Sequence, residues 1–277
     1  MAESIRTVLY YAAVGLNFLL CPLCVFVLLG ACTSFCRRTV NRLLSDTFGF
    51  NAVRMTAFIG TPVHELGHVL MCLIFGHKVE RVRWFPDRKS SAALGSVAHT
   101  YNRKSFYQKL GLVFISIGPM FSGLGFIMLV MCFCFPEALS ACLAAAKGAT
   151  SGGASAVAEC VKAFFVGAFG GSTATWVRVI GALLICFVCL HLELSRADIK
   201  NGLAGLPCYA VIALSAALVA ALADIWIYNG VLGAVLGFIN SATVFILALF
   251  VPCLCFSLSL VLLAFLLRCI AYIFGKR

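Results

Sequence analysis

The sequence predicts an all-α polytopic membrane protein of about six transmembrane helices, with a small β-hairpin or sheet between the second and third. Three observations predict it. Hydrophobic residues make up 62% of the 277 and charged residues only 11%, and mean hydropathy is +1.05, values outside the range of soluble domains. Apolar runs of about 20 residues or more recur along the chain, each long enough to cross a hydrocarbon layer of ~30 Å. The 21 Lys and Arg fall between those runs, as topology signals do. The net charge of +11 is therefore no footprint of nucleic acid, which is not an expected partner. The lipid bilayer is.

In chain order, the first span runs from about Val8 to Ala31. It is longer than a signal-peptide core and has no small-residue cleavage site, so it is expected to persist as an anchor. Arg37, Arg38 and Arg42 close it, and residues 1–54 form the N-terminal anchor and a basic loop. The second span, about Met55 to Gly76, opens a core of three spans over residues 55–206. Between His77 and Ser105 the chain is polar and basic. Val79 to Phe85 and Gly95 to Tyr101 partly alternate around a turn-like Pro86 to Ser91, which predicts the hairpin. The third span, about Leu110 to Phe135, contains Gly118-Pro119, which would bend the helix or admit another backbone. An Ala/Gly/Ser-rich loop with some short helical character follows from Pro136 to Cys160. The fourth span begins near Trp176 and stops at Leu206, before Pro207; residues 207–277 hold two more, about Tyr209 to Tyr228 and Ser241 to Ile273. No internal repeat or second soluble domain is seen.

The six-span topology puts both termini and the hairpin on one face, with most of the Lys and Arg. The positive-inside rule assigns that face to the cytoplasm, and the plasma membrane is the expected location. Most of the fifteen Cys are scattered singly through apolar segments, where Cys acts as a small hydrophobe. Cys21-Pro22-Leu23-Cys24 lies mid-span without the βαβ context of a redox motif. Cys142 and Cys160 flank the small-residue loop and are placed to pair in an oxidising compartment.

The chemistry concentrates in Gly60-Thr61-Pro62-Val63-His64-Glu65-Leu66-Gly67-His68, inside an otherwise apolar run. His64 and His68, four apart, share one face of a helix and can offer two imidazole nitrogens to one metal, with Glu65 beside them to move a proton. Ionisable groups at bilayer depth cost about 3 kcal/mol or more each and mark functional sites, and three stand here within five residues. A catalytic zinc needs three protein ligands and one open position. The other intramembrane candidates are His191, Glu193, Asp198 and Asp224.

Depth selects among them. His68 lies eight residues before Gly76 and Asp198 eight before Leu206, so each sits roughly 12 Å inside the same face of the bilayer. His191, Ser195, Asn201, Gly202 and Gly205 share the face of Asp198, whereas Glu193 points nearly opposite. Asp224 is placed as an interfacial anchor. His191 is either a satisfied interior histidine or a group that steadies an oxyanion. His77 and His99, in the polar region, are expected to be solvated.

These residues resemble the site-2 protease family of intramembrane zinc metalloproteases. The likeness lies in His64-Glu65-Leu66-Gly67-His68 within a membrane helix, the hairpin-like region after it, Gly118-Pro119 in the next span, and an Asp followed by a glycine near the end of a later one. The resemblance implies a three-span catalytic core, His64, His68 and Asp198 as ligands of Zn2+, and Glu65 as general base. It departs from the family pattern at Gly60, where an aromatic is common, at Ser122, where Asn is common, and at Ala197-Asp198-Ile199, where Leu-Asp-Gly is common. There is no PDZ-like insert. The expected activity is hydrolysis of peptide bonds in a membrane protein or peptide substrate, with β-hairpin edge pairing as the way to hold it. The alternatives are a zinc-binding membrane scaffold or regulator without proteolysis, and a transporter.

Overall fold

Within lipid the backbone must satisfy its own polar groups, and a helix does so inside a single segment. The computed structural model describes residues 2–85, 94–148, 154–226 and 231–274. In order these form α1 (Ala2–Phe48), α2 (Phe50–Ile74), β1 (Lys78–Arg83), β2 (Ser96–Thr100), α3 (Phe106–Cys134), α4 (Pro136–Gly148), α5 (Ala154–Gly170), α6 (Thr175–Cys189), α7 (Arg196–Trp226) and α8 (Val231–Ile273). Among the described residues five helical stretches are long and apolar enough to cross a membrane: Leu23–Phe48, Phe50–Ile74, Phe106–Cys134, Arg196–Ala223 and Phe256–Ile273. The chain is an all-α multi-pass membrane protein with a two-stranded sheet. β1 and β2 pair antiparallel, Lys78 opposite Thr100 and Val82 opposite Val97, with an irregularity between Val79 and Arg81.

Several boundaries fall elsewhere than the sequence suggests. α1 does not close at Arg37 but carries Arg37, Arg38 and Arg42 on to Phe48, because Arg and Leu are good helix formers and the breaker that follows is Gly49, at φ 77°. The Pro136 to Cys160 stretch is helical through α4 and into α5. The largest change concerns the fourth span. Its helix stops at Cys189, the chain is irregular to Ser195, and α7 then runs straight through Pro207.

Tertiary contacts account for that break. Thr33 of α1 donates its hydroxyl to the Leu192 carbonyl at 2.6 Å, and His64 of α2 donates to the His191 carbonyl, so carbonyls that a continuing helix would have used find partners elsewhere. Leu192 fills the space above Gly123, where any Cβ would collide with it. α7 then starts from a reciprocal cap: the Asp198 N–H donates to Ser195 Oγ at 3.1 Å, and the Ser195 N–H donates to Asp198 Oδ2 at 2.8 Å.

α3 is the central helix, its buried Met120, Ile127 and Met131 packing with Val63, Ile185 and Val188. α2 crosses it backbone to backbone: a Cβ on Gly67 would lie 2.4 Å from the Gly118 carbonyl carbon. Small residues permit such close approach of membrane helices. α2 ends in a Schellman turn, with Gly76 at φ 67°, the His77 N–H on the Cys72 carbonyl at 2.8 Å and the Gly76 N–H on the Leu73 carbonyl at 3.2 Å. The side chains of Cys21, Cys160 and Asp224 lie outside the described residues.

Candidate metal centre

α2 sets His64 and His68 one turn apart, their ring centroids 5.1 Å from each other. Each ring donates its Nδ1–H to a backbone carbonyl, His64 to His191 and His68 to Ile115, both at 2.7 Å. A carbonyl can only accept, so each ring in its neutral form keeps the Nε2 lone pair for a metal. The Ile115 carbonyl is available for a definite reason. Its helical partner would be the N–H of residue 119, and Pro119 has none. Gly118-Pro119 thus does two things: the glycine admits α2, and the proline frees the carbonyl that orients His68. Ser122 donates to the Val63 carbonyl at 2.7 Å, tying α3 to the residue before the motif.

Asp198 reaches the same point from α7. Its Oδ1 stands 3.4 Å from His68 Nε2 while Oδ2 is held by the cap of Ser195. One ligand atom from each of His64, His68 and Asp198 lies within 4.8 Å of the others. Asp198 is only 7% exposed, yet it sits in the first turn of α7 and not eight residues before a helix end. Asp198 therefore reaches the site from the start of a helix, whereas equal depth before two helix ends is what the sequence suggests. Gly60, where the resembled family favours an aromatic, is where the end of α6 packs: a Cβ there would lie 2.4 Å from His191 Nδ1.

Glu65 is 5% exposed and lines, with the three candidate ligands, a cavity of about 710 Å³. The residue just before β2 covers it, since a Cβ on Gly95 would fall 2.4 Å from Glu65 Oε1. Residues outside the expected core also line this cavity, notably Arg37, Asn41 and Arg42 from α1. Glu193 requires correction. Expected on the opposite face, it lines the cavity and pairs with Arg37, because residues 190–195 are not helical and helical spacing does not apply to them.

His191 donates Nδ1–H to the Phe187 carbonyl at 2.9 Å, so its buried Nε2, without a partner among the described residues, faces inward as an acceptor. With Nδ1–H already given to that carbonyl, the ring in its neutral form has no N–H left to steady an oxyanion. It suits accepting an N–H instead. Nor are His77 and His99 solvated: His77 is 4% exposed, His99 is half-buried, and burial, then His77 and His68, hold the His99 ring below the usual imidazole range. The hairpin folds back over the end of α2, which alternation in the sequence did not reveal.

Sequence reasoning also missed the Ser195–Asp198 cap, although Ser-x-x-Asp before an apolar run is a legible helix start. Two imidazoles with their distal N–H groups anchored, plus a buried carboxylate, form a donor set able to hold a divalent metal. Comparison of the chain with family models, with curated proteins and with solved structures yields no match.

Proposed function

We propose that this chain is a zinc-dependent intramembrane endopeptidase that cleaves membrane-embedded or membrane-proximal peptide segments. The observation that carries this reading is the meeting of His64, His68 and Asp198 within 4.8 Å, with Glu65 on the wall of the same cavity. Two nitrogens and one oxygen from three side chains would suit zinc in a catalytic site. Bound there, zinc supplies a Lewis acid and makes water acidic enough to ionise near neutral pH.

The protein's own groups carry the rest. Glu65 takes the proton of the attacking water and returns it to the leaving amine. Its burial keeps bulk water from competing. A substrate helix must unwind before its amides can be attacked, and in lipid each freed backbone group needs a new partner. β2 lines the cavity through Ser96, Val97 and His99, so an extended substrate strand can add to its edge and recover those bonds. His191 Nε2 and Thr61 Oγ1, buried on the same wall and without a partner among the described residues, are available to further substrate amides. A scaffold without proteolysis has no use for a buried carboxylate beside two metal-ready imidazoles, which favours hydrolysis.

Metal analysis of detergent-purified protein tests the reading. Zinc is expected, and its removal by a chelator should stop cleavage of a single-span substrate, with zinc restoring it. Cleavage by zinc-free protein would remove the proposal. The edge-pairing step has its own test. Neighbouring residues of a strand direct their N–H groups to opposite sides, so of Val97 and Ala98 one points away from β1. Proline placed at each in turn is expected to lower turnover at one of them with metal content unchanged, and full turnover in both variants would remove strand addition from the mechanism.

A further inference from the structure

The end of α2 holds a second group of metal-ligating side chains, one helical turn beyond His68. We propose that Cys72, His77 and His99 form a separate site for a thiophilic divalent ion such as Zn2+, which fastens the hairpin to the end of the motif helix. One ligand atom from each lies within 4.8 Å of the other two. None of the three belongs to the first centre, and the donor set differs by a sulfur. The inference does not depend on the proteolytic reading.

The local structure prepares these atoms. The Schellman turn folds His77 back over Cys72, its N–H bonded to the Cys72 carbonyl. His77 donates Nε2–H to the Gln108 carbonyl at 2.8 Å, so its Nδ1 lone pair faces inward, oriented by the kind of carbonyl contact that metal-bound histidines use. Tyr101 stacks on the His77 ring at 5.0 Å and 17°, fixing its plane. His99 Nδ1 stands 3.0 Å from His77 Nδ1. Two imidazoles on one tetrahedral zinc at ~2.0 Å would hold their nitrogens about 3.3 Å apart, so the pair needs a slight opening and the shift of the His99 proton from Nδ1 to Nε2. Cys72, 0% exposed, completes the triangle, and its thiol proton leaves to solvent when the thiolate binds.

The three ligands come from α2, from the turn after it and from β2. An ion here would therefore hold in place the strand that lines the first cavity.

Cobalt(II) is the probe, because thiolate ligation produces a strong near-ultraviolet charge-transfer band and the first centre has no sulfur. In the full-length His64→Ala/His68→Ala protein in detergent, one Co2+ per chain with that band is expected. Adding Cys72→Ala should abolish the band, and adding His99→Gln instead should weaken Co2+ binding at least about 10-fold. No band in the double variant, or an undiminished band after Cys72→Ala, would assign the metal to none or to others of the fifteen cysteines and overturn the site. If Cys72→Ala does not fold, the hairpin variant decides alone: unchanged Co2+ affinity in His99→Gln refutes the proposal.

Discussion

Glu65→Gln is expected to slow peptide hydrolysis by about 10²–10⁴-fold, the range general acid–base groups contribute, while the zinc content of the purified protein stays at the wild-type level. The amide keeps the size and shape of the carboxylate, so the packing against Gly95 is preserved. What it loses is the ability to take a proton. The metal should be indifferent to the change, because the three groups that converge are His64, His68 and Asp198 and Glu65 is not among them. Paired metal analysis and single-span substrate cleavage separate the outcomes. Persistent cleavage would mean that another group is the base, and loss of zinc would mean that Glu65 is itself a ligand.

Gly67→Ala should be among the most damaging single methyl additions at the described glycines. Its Cβ would lie 2.4 Å from the carbonyl carbon and oxygen of Gly118 and 2.5 Å from Pro119 N. These are backbone atoms of a central helix, and they cannot turn aside as a side chain does. Overpacking of this kind typically costs about 1–3 kcal/mol, and rigid backbone neighbours put this case at the upper end. The functional consequence follows directly: α2 and α3 must separate, which draws the Ile115 carbonyl from His68 and disorients the ring. A lower unfolding midpoint in detergent and lost metal are expected together. Gly125→Ala on α3 is the matched control. An added Cβ there meets nothing within 4 Å, so the better helix propensity of Ala should leave stability unchanged or raise it by up to about 1 kcal/mol. Equal behaviour of the two variants would contradict the backbone-to-backbone crossing.

The parts of the fold legible in the sequence are those governed by local pattern. Long apolar runs marked α2 and α3 to within a few residues of their ends, and partial alternation marked the hairpin. Gly118-Pro119 was legible as a close contact or bend, but not as the source of the carbonyl that orients His68, since that depends on which helix lies opposite. The fourth span shows the limit most clearly. Pro207 looked like its stop, yet α7 passes through it, because a single proline removes one helical bond while lipid still favours helix on either side. The true break at residues 190–195 is held by Thr33 and His64, residues more than a hundred positions away. Glu193 was misplaced for the same reason.

By itself the sequence determined that this is a helical membrane protein, and it determined which short stretch carries paired imidazoles and a carboxylate, because hydrophobic length and i,i+4 spacing are properties of one segment. Only the tertiary structure decided that Asp198 stands 3.4 Å from His68, that α1 contributes Arg37 to the cavity, and that His77 and His99 are drawn in beside Cys72. Those placements depend on close crossings at Gly67 and Gly60 and on hydrogen bonds between distant carbonyls and side chains. Such contacts join segments far apart in the chain, and no local pattern encodes them.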